Sequence, residues 1–180
     1  MGEIYAQAKK VRIWLGEGDE ITSKVFKFLC FAAEMKRTNG TLSYGLVKEG
    51  MSKISGTESS QTLGGVLCSP WFGRRWIIQE ADLGHSATVH QGNYKISWQV
   101  FAEGLIALLD VVHDLQLSDV GRYSPAVADT MSKTKMHDIL DCLWDFDENA
   151  CSDPRDRIFA LYGFASASNA HGKVAPIPVD

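Results

Sequence analysis

The alternation of apolar and polar residues predicts a short strand near the start of the chain, followed by a long helix. Residues 11–15 (Val-Arg-Ile-Trp-Leu) alternate and are rich in strand-forming side chains, and the turn Gly16-Glu17-Gly18 ends the strand. Apolar residues then recur at helical spacing over about 20–37. Residues 3–9 have the pattern of the last turns of an earlier helix. A helix, a strand, a glycine turn and a second helix indicate α/β layering.

The middle of the chain changes character and then predicts a hairpin. Residues 38–66 are rich in glycine, serine, threonine and lysine, which predicts a flexible surface insertion. Ser69-Pro70 is a helix start signal, so we predict a helix over residues 71–82. Two short β-forming runs flank the turn Gly92-Asn93, and they predict a small β-hairpin near 86–96.

The last third of the chain predicts three helices. Ser97 caps an apolar helix over about 98–115, and residues 117–130 have the composition of a loop. A further helix presents one inward face, formed by Met136, Ile139, Leu140, Leu143 and Trp144. Asp153-Pro154 caps a last helix over 155–164. We therefore expect one domain over 1–165 and an extended tail over 166–180.

Charge and cysteine content exclude several classes of function. The 180 residues carry a net charge of −4, whereas a domain that binds nucleic acid or an anionic membrane needs a basic surface. No apolar run reaches the roughly 18 residues of a membrane span, and no secretory signal is present. The four cysteines form no C-x-x-C pair, so we expect free thiols in a cytoplasmic protein.

Metal-binding and nucleotide-binding patterns do not occur. The five histidines show no H-E-x-x-H spacing, and the acidic run Asp141, Asp145, Asp147, Glu148 lacks the calcium-loop pattern. The glycine-rich stretches match neither G-x-G-x-x-G nor the phosphate-binding loop. We therefore predict no metal site and no bound cofactor.

Residues 69–80 contain the densest group of chemically capable side chains. Trp76 and Glu80 are four residues apart and share a face of the predicted helix, as do Trp71 and Arg75. A carboxylate beside an indole is partly desolvated, which strengthens its electrostatic interactions. Glu80 is therefore a catalytic candidate. The alternative is that the aromatic residues are core and Glu80 pairs with a nearby arginine.

Residues 153–157 (Asp-Pro-Arg-Asp-Arg) form the second dense segment. We interpret it as an N-capping aspartate with a local salt-bridge cluster. The alternative is that Asp and Arg at a helix start fix a neighbouring loop through bidentate hydrogen bonds.

Three segments together resemble the fungal heterokaryon incompatibility (HET) domain. Residues 1–16 are similar to the family's M-x-x-I-Y-x-x-A-x-x-V-x-x-W-L-G block, which includes Trp14 and Gly16. Residues 70–80 are similar to its P-W-F-x-R-x-W-x-x-Q-E block. Residues 153–163 are similar to its D-P-R-D-x-hydrophobic-x-A-L-x-G block. The motif residues in the last two blocks include Trp71, Gln79, Asp153, Pro154, Arg155 and Asp156. The order and rough spacing of the blocks fit the family over about residues 1–165.

The resemblance implies a cytoplasmic fungal protein of allorecognition, innate immunity and programmed cell death. Its partners would be copies of itself or other death-signalling proteins. HET domains resemble TIR domains, which implies a TIR/flavodoxin-like layered sheet with flanking helices. The family's earlier blocks do not occur in this chain, so we expect the sheet to lack its first strand or strands.

The TIR resemblance implies a second hypothesis, that of an NAD⁺ glycohydrolase. Many TIR domains cleave NAD⁺ with a glutamate in a W-x-x-x-E pattern, and residues 76–80 have that pattern. Glu80 would then be catalytic, with Trp76 beside it and Arg74 or Arg75 at a phosphate of the substrate. NAD⁺ would be a substrate, and no cofactor would be needed. A third hypothesis is a non-functional truncated fragment.

Overall fold

The fold combines a small sheet with helices. A computed structural model of the protein describes residues 7–54, 66, 69–82, 86–112, 139–147 and 149–168. The strands are β1 (Val11–Trp14), β2 (Ala87–Gln91) and β3 (Tyr94–Ser97). The helices are α1 (Glu20–Asn39), α2 (Tyr44–Ile54), a 3₁₀ helix (Pro70–Gly73), α3 (Ile77–Asp82), α4 (Trp98–Val112), α5 (Ile139–Asp145) and α6 (Asp156–Ser168). The predicted α/β class is confirmed.

The sheet has the order β1-β2-β3 and contains both strand directions. β1 runs parallel to β2, with Val11 opposite Ala87. β2 and β3 are antiparallel and are joined by the turn at Gly92-Asn93. The predicted first strand and the predicted hairpin are therefore confirmed. The parallel pair is joined through helices, as α/β layering requires.

One face of the sheet is buried and the other is open. Val11 and Ile13 are buried, whereas Arg12 and Trp14 on the same strand are exposed. The strand register aligns Ile13 with Val89 and Val89 with Ile96, which places three apolar side chains in one buried row. Helices α1 and α4 pack on the sheet and on each other. The core therefore lies between the sheet and these two helices.

Helix α1 begins and ends at strong local signals. The Asp19 side chain accepts hydrogen bonds from the backbone N–H groups of Ile21 and Thr22, and the Thr22 hydroxyl accepts one from the Asp19 N–H. This is a capping box, which satisfies donors that a helix start leaves open. The helix ends at Gly40, whose φ is 75°. The helix predicted over 20–37 is confirmed and is two residues longer.

Glycine allows α1 and α4 to approach closely. A Cβ atom at Gly104 would lie 2.3 Å from the Leu29 carbonyl oxygen. Two ion pairs, Lys36 with Asp110 and Arg37 with Glu103, join the same helices at the surface. The hydrogen bond from Arg37 lowers the pKa of the Glu103 carboxyl.

The turn after β1 packs against the hairpin turn. Gly16 has a φ of 110°, and its carbonyl accepts a 2.9 Å hydrogen bond from the Gly92 N–H. A Cβ atom at Gly18 would lie 2.5 Å from the Gln91 carbonyl oxygen. These glycines are therefore required by a positive φ and by close backbone contact.

Helix α2 lies within the segment that we expected to be a flexible insertion. Its residues Val47 and Ile54 are buried, and it packs against α1 and α4. This helix was not predicted from the sequence, because the high glycine content of 38–66 favoured a loop. Only a few apolar residues of the segment have helical spacing. Residues 55–65 of the segment lie outside the described ranges, so the prediction is tested only in part.

The helix predicted over 71–82 is wrong as a continuous element. A 3₁₀ helix covers Pro70–Gly73, and α3 starts only at Ile77. Between them Arg74 is extended (φ −87°, ψ 141°) and forms a parallel bridge with Ala150. Through this bridge, the backbone around Arg74 forms its hydrogen bonds with the chain at Ala150, whereas a continuous helix would form them within itself. Trp71 and Arg75 therefore do not share a helix face.

The C-terminal helices agree with the prediction in position, but the predicted face of α5 is only partly correct. The Ser97 side chain accepts a hydrogen bond from the Val100 N–H at the start of α4. On the predicted face of α5, Ile139 and Leu143 pack against the core, whereas Leu140 and Trp144 are exposed. The buried residues of this region also include Cys142 and, just after the helix, Phe146. Helix α6 begins at Asp156 and extends to Ser168. The predictions for residues 3–6, 117–130 and 169–180 and for Met136 lie outside the described residues.

Candidate functional site

The segment from Ser69 to Asp82 is anchored on the core at its start. The Ser69 hydroxyl is 3.4 Å from the Leu15 carbonyl oxygen, to which it donates, at the end of β1. Trp71 and Phe72 are buried, and they contact Trp98 and Phe101 at ring-centroid distances of 5.6 and 6.1 Å. The aromatic residues of this segment are therefore core residues as well as motif residues.

Among the described contacts, the Glu80 carboxylate accepts from Trp71 and Arg74. Its Oε2 accepts a 2.8 Å hydrogen bond from the indole N–H of Trp71. Its Oε1 lies 3.4 Å from Nη2 of Arg74. The Glu80 side chain is 12% exposed and that of Arg74 is 56% exposed, so the ion pair lies at the border between core and solvent. The indole beside the carboxylate is that of Trp71, rather than that of Trp76 as predicted.

Trp76 has a different partner. Its indole N–H donates a 3.0 Å hydrogen bond to Oδ2 of Asp156, at the start of α6. The Glu80 N–H donates to the Trp76 carbonyl over 3.2 Å, so the two residues are one helical turn apart in the backbone. Their side chains nevertheless engage separate groups. Trp76 and Asp156 join α3 to α6.

Arg75 is one of the most buried side chains in the described part of the chain. Its guanidinium donates to the carbonyl oxygen of Phe146, and to that of Arg157 over 3.0 and 3.2 Å. Burial lowers the pKa of Arg75. Because these donors point at backbone carbonyls inside the protein, the geometry favours a structural role over contact with a substrate phosphate.

Two buried side-chain amides add hydrogen bonds between this segment and the chain around α5 and α6. Nε2 of Gln79 donates to the carbonyls of Phe159 and Ala160, at 3.0 and 2.9 Å. Nδ2 of Asn149 donates to the carbonyls of Phe72 and Arg74, at 3.0 and 3.3 Å. We call the group Arg75, Trp76, Gln79, Asn149 and Asp156 the interlock. It fixes the segment that carries Glu80 to the chain around α5 and α6.

Asn149 was not predicted from the sequence. It follows the acidic run near residues 141–148, and its two acceptors are more than seventy residues earlier in the chain. Its local sequence contains no signal for such distant contacts. An asparagine buried at the junction of two motifs is recognisable only after the fold is known.

The remaining motif residues lie at the surface. Nε and Nη2 of Arg155 bind the Asp153 carboxylate at 2.6 to 3.1 Å, and the Arg155 N–H donates to it as well. The hydrogen bonds from Arg155 lower the pKa of Asp153 to about 2. The predicted local salt bridge therefore forms, with Pro154 exposed between its partners. Trp14 is 54% exposed on the open face of the sheet.

The described ranges contain neither a metal-ligand cluster nor a membrane-spanning helix. Among the described residues, no group of three or more His, Cys, Asp or Glu side chains is arranged to hold a metal ion. None of the helices in the described ranges is both long and apolar enough to cross a bilayer. Cys30, Cys142 and Cys151 are free thiols.

Comparison with known proteins finds a family similarity over the first part of the chain. The family model described as heterokaryon incompatibility protein (HET) matches residues 1–80. No curated protein and no solved structure matches the chain. The matched range contains the first two motifs and ends at Glu80, whereas the third motif lies beyond it. Residues 1–80, a little under half of the chain, are therefore similar to the heterokaryon incompatibility (HET) family.

Proposed function

We propose that this protein is a signalling domain of fungal self/non-self recognition and programmed cell death, a form of innate immunity. The observation that carries the proposal is the HET family match over residues 1–80. The proposal includes a cytoplasmic location, with a second copy or other death-signalling proteins as partners. The matched range supplies β1, α1 and the segment with Glu80, whose buried side chains belong to one core.

Controlled expression in a fungal host tests this proposal. We expect induction of the wild-type chain to arrest growth and to cause loss of viability. Ile13→Asp places a charge in the buried row of the sheet and should abolish the effect. Arg12→Asp changes the exposed neighbour on the same strand and should preserve it. Normal growth with the wild-type chain would reject the proposal.

A second candidate function is cleavage of NAD⁺, and the contacts of Glu80 favour it. Breaking the bond between nicotinamide and ribose develops an oxocarbenium-like cation, and a fixed carboxylate stabilises that charge. Water then adds to the ribose carbon, which yields ADP-ribose and nicotinamide. Trp71 and Arg74 hold the two oxygens of Glu80, so the carboxylate is oriented before any substrate binds. NAD⁺ would be a substrate, and no resident cofactor is required.

A fluorescent etheno-NAD⁺ assay on the purified chain tests the second candidate. Glu80→Gln keeps an oxygen acceptor for Trp71 but removes the charge. We expect it to lower turnover by roughly 10²–10³-fold if the carboxylate stabilises the transition state. Glu34→Gln, an exposed site on α1, is the matched control and should leave turnover unchanged. Wild-type turnover in the Glu80→Gln variant would reject the enzyme hypothesis.

The hypothesis of a non-functional fragment makes a different prediction. A fragment without a complete core should unfold gradually on heating, whereas the shared core of the sheet, α1 and α4 should give one cooperative transition. Differential scanning calorimetry of the full chain distinguishes the two outcomes.

A further inference from the structure

Arg74 and Arg75 are consecutive residues, but their guanidinium groups have different surroundings. The guanidinium of Arg75 donates to backbone carbonyls inside the protein. The Arg74 side chain is 56% exposed, and its Nη2 lies 3.4 Å from Oε1 of Glu80. Nε and Nη1 of Arg74 have no partner among the described residues. Arg74 therefore has donors available for a further acceptor, whereas the donors of Arg75 are directed into the core.

The backbone of Arg74 is fixed even though its side chain reaches solvent. Its N–H donates to the Trp71 carbonyl over 3.1 Å, and its carbonyl accepts from Nδ2 of Asn149 over 3.3 Å. The residue also forms the parallel bridge with Ala150. The exposed side chain can therefore change its partner without displacing the segment that carries Glu80.

The contact between Arg74 and Glu80 is weaker than the contact between Trp71 and Glu80. A distance of 3.4 Å is long for a hydrogen bond, and solvent screens an ion pair that has an exposed partner. The buried indole N–H of Trp71 donates to the other carboxylate oxygen over 2.8 Å. Breaking the contact with Arg74 therefore costs little and leaves the hydrogen bond from Trp71 in place.

The positive charge of Arg74 opposes the role that NAD⁺ cleavage gives to Glu80. A carboxylate stabilises an oxocarbenium-like cation less well while a guanidinium lies beside it. A phosphate group can bind a guanidinium through two parallel hydrogen bonds, which are stronger than one long contact with a carboxylate. In NAD⁺ the ribose that develops the positive charge carries a phosphate on its 5′ carbon. This substrate therefore carries both a group for Glu80 and a group for Arg74.

We propose that Arg74 is a specificity-determining residue of the Glu80 site and selects a substrate with a phosphate on the cleaved ribose. The inference rests on the proposed cleavage of NAD⁺. Before substrate binds, Arg74 contacts Oε1 of Glu80. On binding, its guanidinium transfers to the substrate phosphate, the ribose takes its place at Oε1, and Trp71 keeps Oε2 oriented. A riboside without a phosphate does not draw Arg74 away and is therefore a poorer substrate.

Release of nicotinamide by the purified full chain, measured by chromatography with NAD⁺ and with nicotinamide riboside, tests the proposal. Both compounds contain the same scissile bond, but only NAD⁺ carries phosphate. We expect the wild-type kcat/KM to be at least about tenfold higher for NAD⁺. Arg74→Gln should raise the KM for NAD⁺ by about tenfold or more, without lowering kcat/KM for the riboside. Arg12→Gln, at an exposed arginine on β1, is the matched control and should change neither value.

A second variant separates substrate selection from support of the fold. Arg74→Lys keeps the charge but not the planar pair of donors, so it should recover part of the affinity for NAD⁺. Equal losses with both substrates in the two Arg74 variants would show that Arg74 only supports Glu80, and would overturn the inference. An unchanged preference for NAD⁺ in Arg74→Gln would overturn it as well. If the wild type released nicotinamide from neither substrate, the proposed cleavage of NAD⁺ would itself be rejected, and the inference with it.

Discussion

The two described donors to the Glu80 carboxylate differ in their exposure to solvent. The Trp71 indole N–H lies in the core, whereas the Arg74 guanidinium reaches in from solvent. A buried hydrogen bond to a charged acceptor is stronger than an exposed ion pair, which solvent screens. Of these two donors, Trp71 therefore contributes more to the orientation of Glu80 than Arg74.

Trp71→Phe tests this dependence. The substitution keeps an aromatic ring against Phe72 but removes the donor to the carboxylate. We expect a loss of about 1.5–3 kcal/mol in the free energy of unfolding, measured by urea denaturation. Trp144→Phe, at an exposed tryptophan, should change it by less than about 0.5 kcal/mol. Equal values for the two variants would contradict the role given to the indole N–H.

We expect the stability of the folded protein to depend on pH through the Asp153–Arg155 pair. The pKa of Asp153 is about 2 in the folded protein, below its ordinary value of 3.8, because Arg155 favours the ionised form. Its stabilising contribution is therefore present above about pH 4 and is lost as the pH falls towards 2. The difference in Tm between the wild type and Asp153→Asn should shrink over this range. In an Arg155→Gln background most of this pH dependence should disappear.

Among the interlock residues, we expect substitution of Arg75 to have the largest effect on the free energy of unfolding. Arg75→Met fills much of the same volume but removes the charged donor to the carbonyls of Phe146 and Arg157. Loss of buried hydrogen bonds made by a charged donor is costly, so we expect the free energy of unfolding to fall by about 2–4 kcal/mol in urea denaturation. Arg12→Met, an exposed arginine on β1, should change it by less than about 0.5 kcal/mol.

Among the elements, the crossing of α1 and α4 brings backbone against backbone with no room for a side chain. Gly104→Ala improves helix propensity by about 1 kcal/mol, but its methyl group would lie 2.3 Å from the Leu29 carbonyl oxygen. Overpacking of this kind typically costs about 1–3 kcal/mol, so the helices must separate. We expect a net loss of stability, measured as a lower Tm.

Gly45→Ala is the matched control for this crossing. Gly45 also lies in a helix, α2, and a Cβ atom there has no neighbour within 4 Å. The same substitution should therefore raise stability by about 0.5–1 kcal/mol. If both alanine variants raised Tm, the close contact between α1 and α4 would be wrong.

Elements with strong local signals were predictable from the sequence. The alternation of 11–15, the helical spacing of apolar residues over about 20–37 and the two-residue turn at Gly92 predicted β1, α1 and the hairpin. The break between the 3₁₀ helix and α3 was not predictable, because it depends on a bridge to Ala150, which is distant in sequence. The buried face of α5 depends likewise on its packing partners.

The candidate site was predictable in identity but only partly in geometry. The W-x-x-x-E pattern located Glu80, but spacing alone assigned it Trp76 as neighbour. Because the helix is broken, the indole N–H of Trp71 donates to the Glu80 carboxylate, and the indole N–H of Trp76 donates to Asp156. The role of Asn149 could not be predicted from its local sequence, because both of its acceptors lie in the distant motif of residues 70–80.

Across the whole molecule, the interlock joins sequence inside the HET match to sequence beyond it. Arg75, Trp76 and Gln79 lie within residues 1–80, whereas their partners lie between residues 146 and 160. The segment with Glu80 therefore takes its shape from both parts of the chain. We expect signalling to require the interlock, whether the domain acts through a partner or through NAD⁺.

The measurement that tests this account most directly is the viability of fungal cells after induction of three versions of the chain at matched protein levels. The account predicts that the wild type and Arg12→Met cause cell death, and that Arg75→Met, which breaks the interlock, restores growth. Normal growth with the wild-type chain, or equal killing by Arg75→Met, would contradict it.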